Sequence, residues 1–103
     1  MAAKLRWAVY QDPNDAQITV RSVHRGFWDF VIFHNVREPQ QFFALYVDMR
    51  DMRGMRILYV FKDGKEIESH IPQQPPEEFA FPTLDAADRA CNEKYWQMRE
   101  DGK

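Results

Sequence analysis

The sequence predicts an α+β fold, in which an antiparallel β-sheet of about five to six strands carries a C-terminal amphipathic helix on one face. Several short segments alternate apolar and polar residues, as half-buried strands do, and turn-forming residues separate them. Near the C-terminus, apolar residues instead recur every three or four positions, which is typical of a helix with one buried side. The 103 residues fit one hydrophobic core, so a single domain is expected.

Composition narrows the class of protein further. The apolar fraction of 45% and the charged fraction of 29% are those of a globular domain. One cysteine, Cys91, leaves no pair for an internal disulfide, and the first residues lack the apolar core of a signal peptide, so we expect a cytoplasmic protein. No apolar run approaches the roughly 20 residues of a membrane helix, so no membrane partner is expected.

The first part of the chain predicts three strands. Residues 4–11 and 17–25 alternate in polarity around a turn with proline and asparagine at its centre, and Gly26 marks a bend after the second strand. The third strand, residues 27–36, is apolar on both faces. Such a strand lies in the middle of a sheet with something packed on each side, or leaves one side for a partner.

Residues 39–53 fit two structures. As a helix, this segment would place Pro39 in the first turn, where a missing N–H donor costs nothing. As a strand, it would alternate through Phe43, Leu45 and Val47, and its aromatic and β-branched residues favour this form. The strand is the preferred prediction, and a second helix at 39–53 is the alternative.

The rest of the chain divides into a hairpin, a connector and a helix. Residues 55–62 and 66–71 predict two strands joined by a tight turn, because Asp63 and Gly64 form the preferred dipeptide of a two-residue hairpin. With these strands, the sheet occupies residues 1–71. Residues 72–82 contain four prolines and predict an extended connector without regular structure, held in place by Phe79 and Phe81.

The predicted helix covers residues 83–100, with Thr83 as its N-cap. Its apolar stripe consists of Leu84, Ala87, Cys91, Tyr95 and Met98. A helix of this length is about 25 Å long and covers one face of a small sheet but not both. The other face would therefore be buried by a helix at 39–53, by a second copy of the chain or by a different protein.

No catalytic or metal-binding pattern is present in the sequence. His24, His34 and His70 lie far apart and do not have the spacing of metal ligands. Glu68 and His70 share one side of a predicted strand, but no nucleophile accompanies them. Cys91 lies on the buried stripe, where a thiol is unreactive. We therefore expect a protein that is not an enzyme and that uses no cofactor and no metal.

Aromatic residues and arginine are enriched at the centres of protein interfaces. The predicted partner contacts are therefore Trp28 and the arginine cluster Arg50, Arg53 and Arg56. The expected function is a protein-interaction module that binds another protein or a second copy of itself. The alternatives are a single-stranded nucleic-acid-binding domain that uses the same arginines with sheet aromatics, and a small enzyme or ligand carrier with a pocket between helix and sheet.

Residues 81–90, with the sequence FPTLDAADRA, open the C-terminal helix directly after the proline-rich connector. This helix start and the order of elements resemble the C-terminal parts of small phage and mobile-element proteins, anti-CRISPR inhibitors among them. The resemblance implies a phage-type inhibitor that occludes a surface of a bacterial defence complex. It assigns no functional residue in this chain.

Overall fold

The computed structural model describes residues 7–12, 15–50, 58–69 and 75–102. One antiparallel sheet contains six strands in the order β1-β2-β3-β4-β5-β6, so each strand pairs with its neighbours in sequence. The strands are β1 (Ala8–Asp12), β2 (Asp15–Arg25), β3 (Trp28–Asn35), β4 (Phe42–Asp48), β5 (Leu58–Lys62) and β6 (Lys65–Ser69). A short 3₁₀ helix (Glu77–Phe79) and helix α1 (Leu84–Gly102) follow. The predicted α+β fold with a C-terminal helix is confirmed.

Residues 39–53, for which a strand was preferred over a helix, contain strand β4. β4 pairs with β3 over seven residues, from Trp28 opposite Asp48 to His34 opposite Phe42. The alternative helix over 39–53 is therefore wrong for Phe42–Asp48, and residues 51–53 lie outside the described part of the chain. β4 is buried on both of its faces, since consecutive side chains from Phe43 to Leu45 are at most 4% exposed. Consecutive buried residues suit a central strand better than a helix with one buried side.

Two turns have the backbone that the sequence predicts. Asp63 and Gly64 both adopt positive φ, at 51° and 84°, as a type I′ hairpin turn between β5 and β6 requires. Gly26 also adopts positive φ, at 61°, in the turn between β2 and β3. Phe27 belongs to this turn, so the predicted strand 27–36 begins one residue later, at Trp28.

Helix α1 covers one face of the sheet, as predicted. Thr83 caps it, because the backbone N–H of Ala86 donates to Thr83 Oγ1 at 3.1 Å. Trp28, Phe30 and Ile32 of β3 point toward the helix and are at most 5% exposed. The helix contributes Ala87, Cys91 and Tyr95, all at most 5% exposed, to the same core.

The opposite face of the sheet is covered in part by the connector. Phe79 is 3% exposed and packs with Phe43, Leu45 and Val60 in a second buried cluster. This cover differs from the three predicted ones, which were a helix at 39–53, a second copy and a different protein. The proline-rich segment can cover this face without regular structure, because one phenylalanine ring buries a large apolar area.

The connector is also more regular than predicted. Residues Glu77–Phe79 form one turn of 3₁₀ helix, which the backbone N–H of Ala80 closes by donating to Glu77 at 2.9 Å. Phe81 then forms an antiparallel bridge with Phe42. The backbone N–H of Phe81 donates to the Phe42 carbonyl, with N and O 2.7 Å apart, and the N–H of Phe42 donates to the Phe81 carbonyl at 2.9 Å. Both anchoring phenylalanines are buried, as predicted. The bridge fixes the point at which α1 begins over the sheet.

Several predictions fall on residues outside the described ranges. They include the start of the first strand at residues 4–6, the turn residues 13 and 14, residues 55–57 of the fifth strand, and residues 70–74 with His70. In the ranges that the structure does describe, no helix combines the length and the hydropathy needed to cross a membrane.

Candidate partner-binding site

Two of the predicted contact residues lie side by side. Trp28 begins β3 and is paired across the sheet with Asp48, the last residue of β4, and Arg50 follows two positions later. The guanidinium carbon of Arg50 lies 5.6 Å from the centre of the Trp28 ring. The other two predicted contacts, Arg53 and Arg56, lie outside the described residues.

Asp48 holds the Arg50 side chain in one orientation. Arg50 Nε donates to Asp48 Oδ1 at 3.0 Å and Nη2 donates to Asp48 Oδ2 at 2.9 Å. The backbone N–H of Arg50 also donates to Asp48 Oδ1, at 2.9 Å. The hydrogen bond to Asp48 raises the pKa of Arg50. A forked pair of this kind fixes direction more than it adds stability, since both side chains remain open to solvent.

Phe27 completes the site, although the sequence did not predict it as a contact. Its side chain is 50% exposed, and the guanidinium carbon of Arg50 lies 4.8 Å from the centre of its ring. The Phe27 and Trp28 rings meet edge to face, at 6.0 Å and 87°. The backbone N–H of Met49 donates to the Phe27 carbonyl at 2.8 Å, which ties the end of β4 to this turn. We call Phe27, Trp28 and Arg50 the Phe27 surface.

Trp28 is the buried member of the Phe27 surface and supports the other two residues. Its side chain is only 5% exposed, and its ring meets Tyr95 of α1 edge to face at 6.1 Å. Gly26 keeps the turn close to this ring, because a Cβ at Gly26 would lie 3.4 Å from Trp28. The exposed part of the surface therefore consists of Phe27 and Arg50.

A cavity of about 280 Å³ adjoins this surface on the helix side. Its lining consists of Trp28, Tyr46, Asp48, Arg50, Lys94, Gln97 and Met98. Two of the lining residues bind Glu66 of β6, which accepts a hydrogen bond from the Tyr46 hydroxyl at 2.8 Å and pairs with Lys94 at 2.9 Å. Burial, with the hydrogen bond to Glu66, raises the pKa of Tyr46, so the phenol stays neutral.

A second cavity of about 310 Å³ lies between α1 and the β5–β6 hairpin. It shares Lys94 and Gln97 with the first cavity. Phe61 and Phe81 provide apolar surface, and Arg89 contributes charge at the helix. The two cavities therefore follow one side of the helix.

The described residues include a few metal-ligating and nucleophilic side chains whose surroundings the structure defines. No group of three His, Cys, Asp or Glu side chains in those ranges lies close enough to hold a metal ion. Cys91 is fully buried, and burial, with the nearby charge of Asp88, raises the pKa of its thiol. The thiolate needed for nucleophilic chemistry is therefore disfavoured. His24 Nδ1 lies 2.6 Å from Asp29 Oδ1 at the surface, on a different sheet face from the cavities.

The Phe27 surface combines a half-exposed ring, a guanidinium held in a fixed position and a buried support. The turn position of Phe27 depends on where β3 begins, which the alternating pattern alone does not fix. The glycine before Phe27 is the sequence signal that could have placed it in the turn. No protein-family model, no curated protein and no solved structure matches this chain.

Proposed function

We propose that this chain is a non-enzymatic interaction module that binds another protein through the Phe27 surface. The observation that carries the proposal is the placement of Arg50 over the half-exposed ring of Phe27. Aromatic rings and arginine are the side chains that contribute most at interface centres. A partner that covers both residues would bury the ring and desolvate the guanidinium at the same time.

The rigidity of the site supports binding. Arg50 is fixed by its forked pair with Asp48, and Phe27 is fixed by the edge of Trp28 and by the hydrogen bond from Met49. Ordering a long side chain on binding costs about 0.5 to 1.5 kcal/mol. Side chains that are already ordered avoid most of this cost, so affinity can come from few residues.

The test is co-purification with surface variants. The tagged protein and its variants are incubated with bacterial lysate, and the recovered proteins are identified by mass spectrometry. Phe27→Ser and Arg50→Gln remove the two exposed contacts. Val36→Ser and Arg37→Gln are matched controls, because Val36 is also 50% exposed and both controls lie in the β3–β4 connection at the other end of β3.

We expect the wild type and both controls to recover the same partner, and Phe27→Ser and Arg50→Gln to lose it. Recovery of this chain alone would contradict the proposal. Equal recovery by all variants would show that the partner binds elsewhere. Light scattering on the purified chain tests the further alternative, a second copy as the partner.

The finer proposal is that the partner is a bacterial defence complex, which a phage-type inhibitor would block by occluding its surface. It rests on the resemblance of residues 81–90 and on the small size of the domain. The test adds the purified protein to a CRISPR effector complex and measures cleavage of target DNA, with Phe27→Ser as the control. Unchanged cleavage by every complex tried would rule out the inhibitor proposal. It would not contradict the broader proposal of a protein-interaction module.

The two cavities beside α1 support a second candidate, a small-ligand carrier. Volumes of about 280 and 310 Å³ are near the lower end of ligand pockets. A thermal-shift screen of small metabolites tests it, and Lys94→Gln should abolish any stabilisation. Single-stranded nucleic acid is less favoured, because Arg50 already covers the half-exposed ring on which a base would stack.

A further inference from the structure

Two more arginines lie on aromatic rings beside the Phe27 surface. The guanidinium carbon of Arg25, the last residue of β2, lies 5.6 Å from the centre of the Tyr95 ring. The guanidinium carbon of Arg99, near the end of α1, lies 5.0 Å from the centre of the Trp96 ring. Tyr95 and Trp96 are neighbours whose ring centroids are 5.3 Å apart. The sheet and the helix thus each bring one arginine to the same pair of rings.

These arginines differ from the other cations at this end of the domain. Arg50 pairs with Asp48, and Lys94 pairs with Glu66. In the described ranges, no carboxylate lies within ion-pair distance of Arg25 or Arg99. Both side chains are exposed. Their charges are therefore available to a ligand.

A guanidinium that lies over an aromatic ring keeps hydrogen-bond donors free for a ligand. The group is planar and its N–H donors lie in that plane, so a ring beneath it takes none of them. A carboxylate or a phosphate oxygen pair can then approach edge-on and accept two parallel hydrogen bonds. The ring also limits how far the side chain moves, which reduces the ordering cost of binding.

Carboxylates fit this site better than nucleic acid does. Tyr95 is only 5% exposed and Trp96 is partly buried, so neither ring offers an open face to a base. An acidic protein segment requires no open ring face, because its carboxylates can bind through hydrogen bonds to the guanidinium groups of Arg25 and Arg99 alone.

We propose that Arg25 and Arg99 form a carboxylate-binding site for an Asp- or Glu-rich segment of the protein partner. This inference rests on the proposed interaction function and deepens it, because it names the chemistry of the partner next to the Phe27 surface. The partner packs against the exposed side of Phe27 and Arg50 and places its acidic residues on Arg25 and Arg99.

The test is an NMR titration of the full-length, ¹⁵N-labelled protein with a hexaglutamate peptide. The reporters are the Nε–H signals of Arg25 and Arg99 and the indole signal of Trp96. Trp96 Nε1 is buried and has no hydrogen-bond partner, so its signal responds to changes in its own ring environment. A parallel titration uses hexathymidylate, which carries phosphates in place of carboxylates.

Three kinds of variant define the site. Arg25→Gln and Arg99→Gln remove the charges, and Arg25→Lys with Arg99→Lys keeps the charges but removes the planar fork. Arg37→Gln is the matched control, since it removes the same charge from the β3–β4 connection. We expect each glutamine variant to weaken hexaglutamate binding about tenfold or more, as charge-assisted hydrogen bonds of this kind predict. The lysine pair should bind more weakly than the wild type.

Three outcomes would overturn the proposal: no shift of the reporters, equal weakening by Arg37→Gln, or tighter binding of hexathymidylate than of hexaglutamate. The proposed function fails separately. Phe27→Ser should still bind hexaglutamate, because the peptide needs only the arginines. If hexaglutamate fails to bind while Phe27→Ser loses the cellular partner, only this further inference is wrong.

Discussion

The imidazole of His34 lies flat on the ring of Phe42, with ring centroids 3.9 Å apart and planes within 9° of parallel. The two residues are direct neighbours across β3 and β4. His34 Nε2 is buried and has no hydrogen-bond partner. Burial, with the nearby charge of Arg21, lowers the pKa of His34 below its ordinary value of 6.5. The imidazole is therefore neutral in the folded protein near pH 7.

This histidine should make the domain less stable in mild acid. A folded-state pKa below 6.5 means that the unfolded chain binds more protons, so the free energy of unfolding falls as the pH falls through 6.5 toward the folded value. We expect His34→Gln to flatten this dependence between about pH 7 and pH 5. Urea unfolding at several pH values measures it, with His24→Gln, at an exposed position, as the control. Equal slopes for wild type and His34→Gln would contradict the assignment.

Cys91 should be inert in the folded protein. Its side chain is 0% exposed and burial raises the pKa of its thiol, so both access and ionisation oppose reaction. We expect a thiol reagent to label the chain only through unfolding, with a rate that rises with urea in parallel with the unfolded fraction. The signal is unambiguous, because the chain contains one cysteine. Rapid labelling of a fully folded sample would show that the helix opens locally.

The cap of α1 should contribute measurably to stability. Thr83 Oγ1 accepts the Ala86 N–H, which otherwise has no partner within the first helical turn. Thr83→Ala should lower the free energy of unfolding by about 1 kcal/mol. Thr83→Ser keeps the hydroxyl and should cost much less. Thermal and urea unfolding of the two variants compare them directly, and equal losses would mean that the methyl group matters more than the cap.

Local signals predicted most of the fold. The Asp63–Gly64 turn, the Thr83 cap and the alternating strands each depend on a few adjacent residues, and the structure contains all of them. The cover of the second sheet face could not be predicted in this way. Phe79 reaches Phe43 and Val60 only after the sheet has formed, and nothing in the connector's composition specifies that contact.

The residue types of the Phe27 surface could be read from the sequence, but their geometry could not. Trp28 and Arg50 meet because β3 and β4 pair in the register that sets Trp28 opposite Asp48. A shift of one residue would move every side chain to the other face. Trp28 was predicted as a partner contact from the sequence, and the structure buries it and exposes the neighbouring Phe27. Which ring faces solvent depends on the turn at Gly26, one residue before the strand begins.

The stability costs of removing two phenylalanine rings, one buried and one exposed, test how the second sheet face is covered. Phe79 is 3% exposed in the cluster with Val60, whereas Phe27 is 50% exposed in its turn. Phe79→Ala should lower the free energy of unfolding by about 3 to 5 kcal/mol, the cost of removing a fully buried ring. Phe27→Ala should cost within about 1 kcal/mol, since surface substitutions seldom cost more.

Urea unfolding of the two alanine variants measures both costs, and dye binding reports any apolar surface that Phe79→Ala exposes. A small cost at Phe79 would mean that the connector detaches easily and that this face is open to a partner. The sheet face that Phe79 covers would then be a second candidate binding surface in the same domain. A large cost, with partner binding lost only in Phe27→Ala, assigns stability to the connector and recognition to the β2–β3 turn.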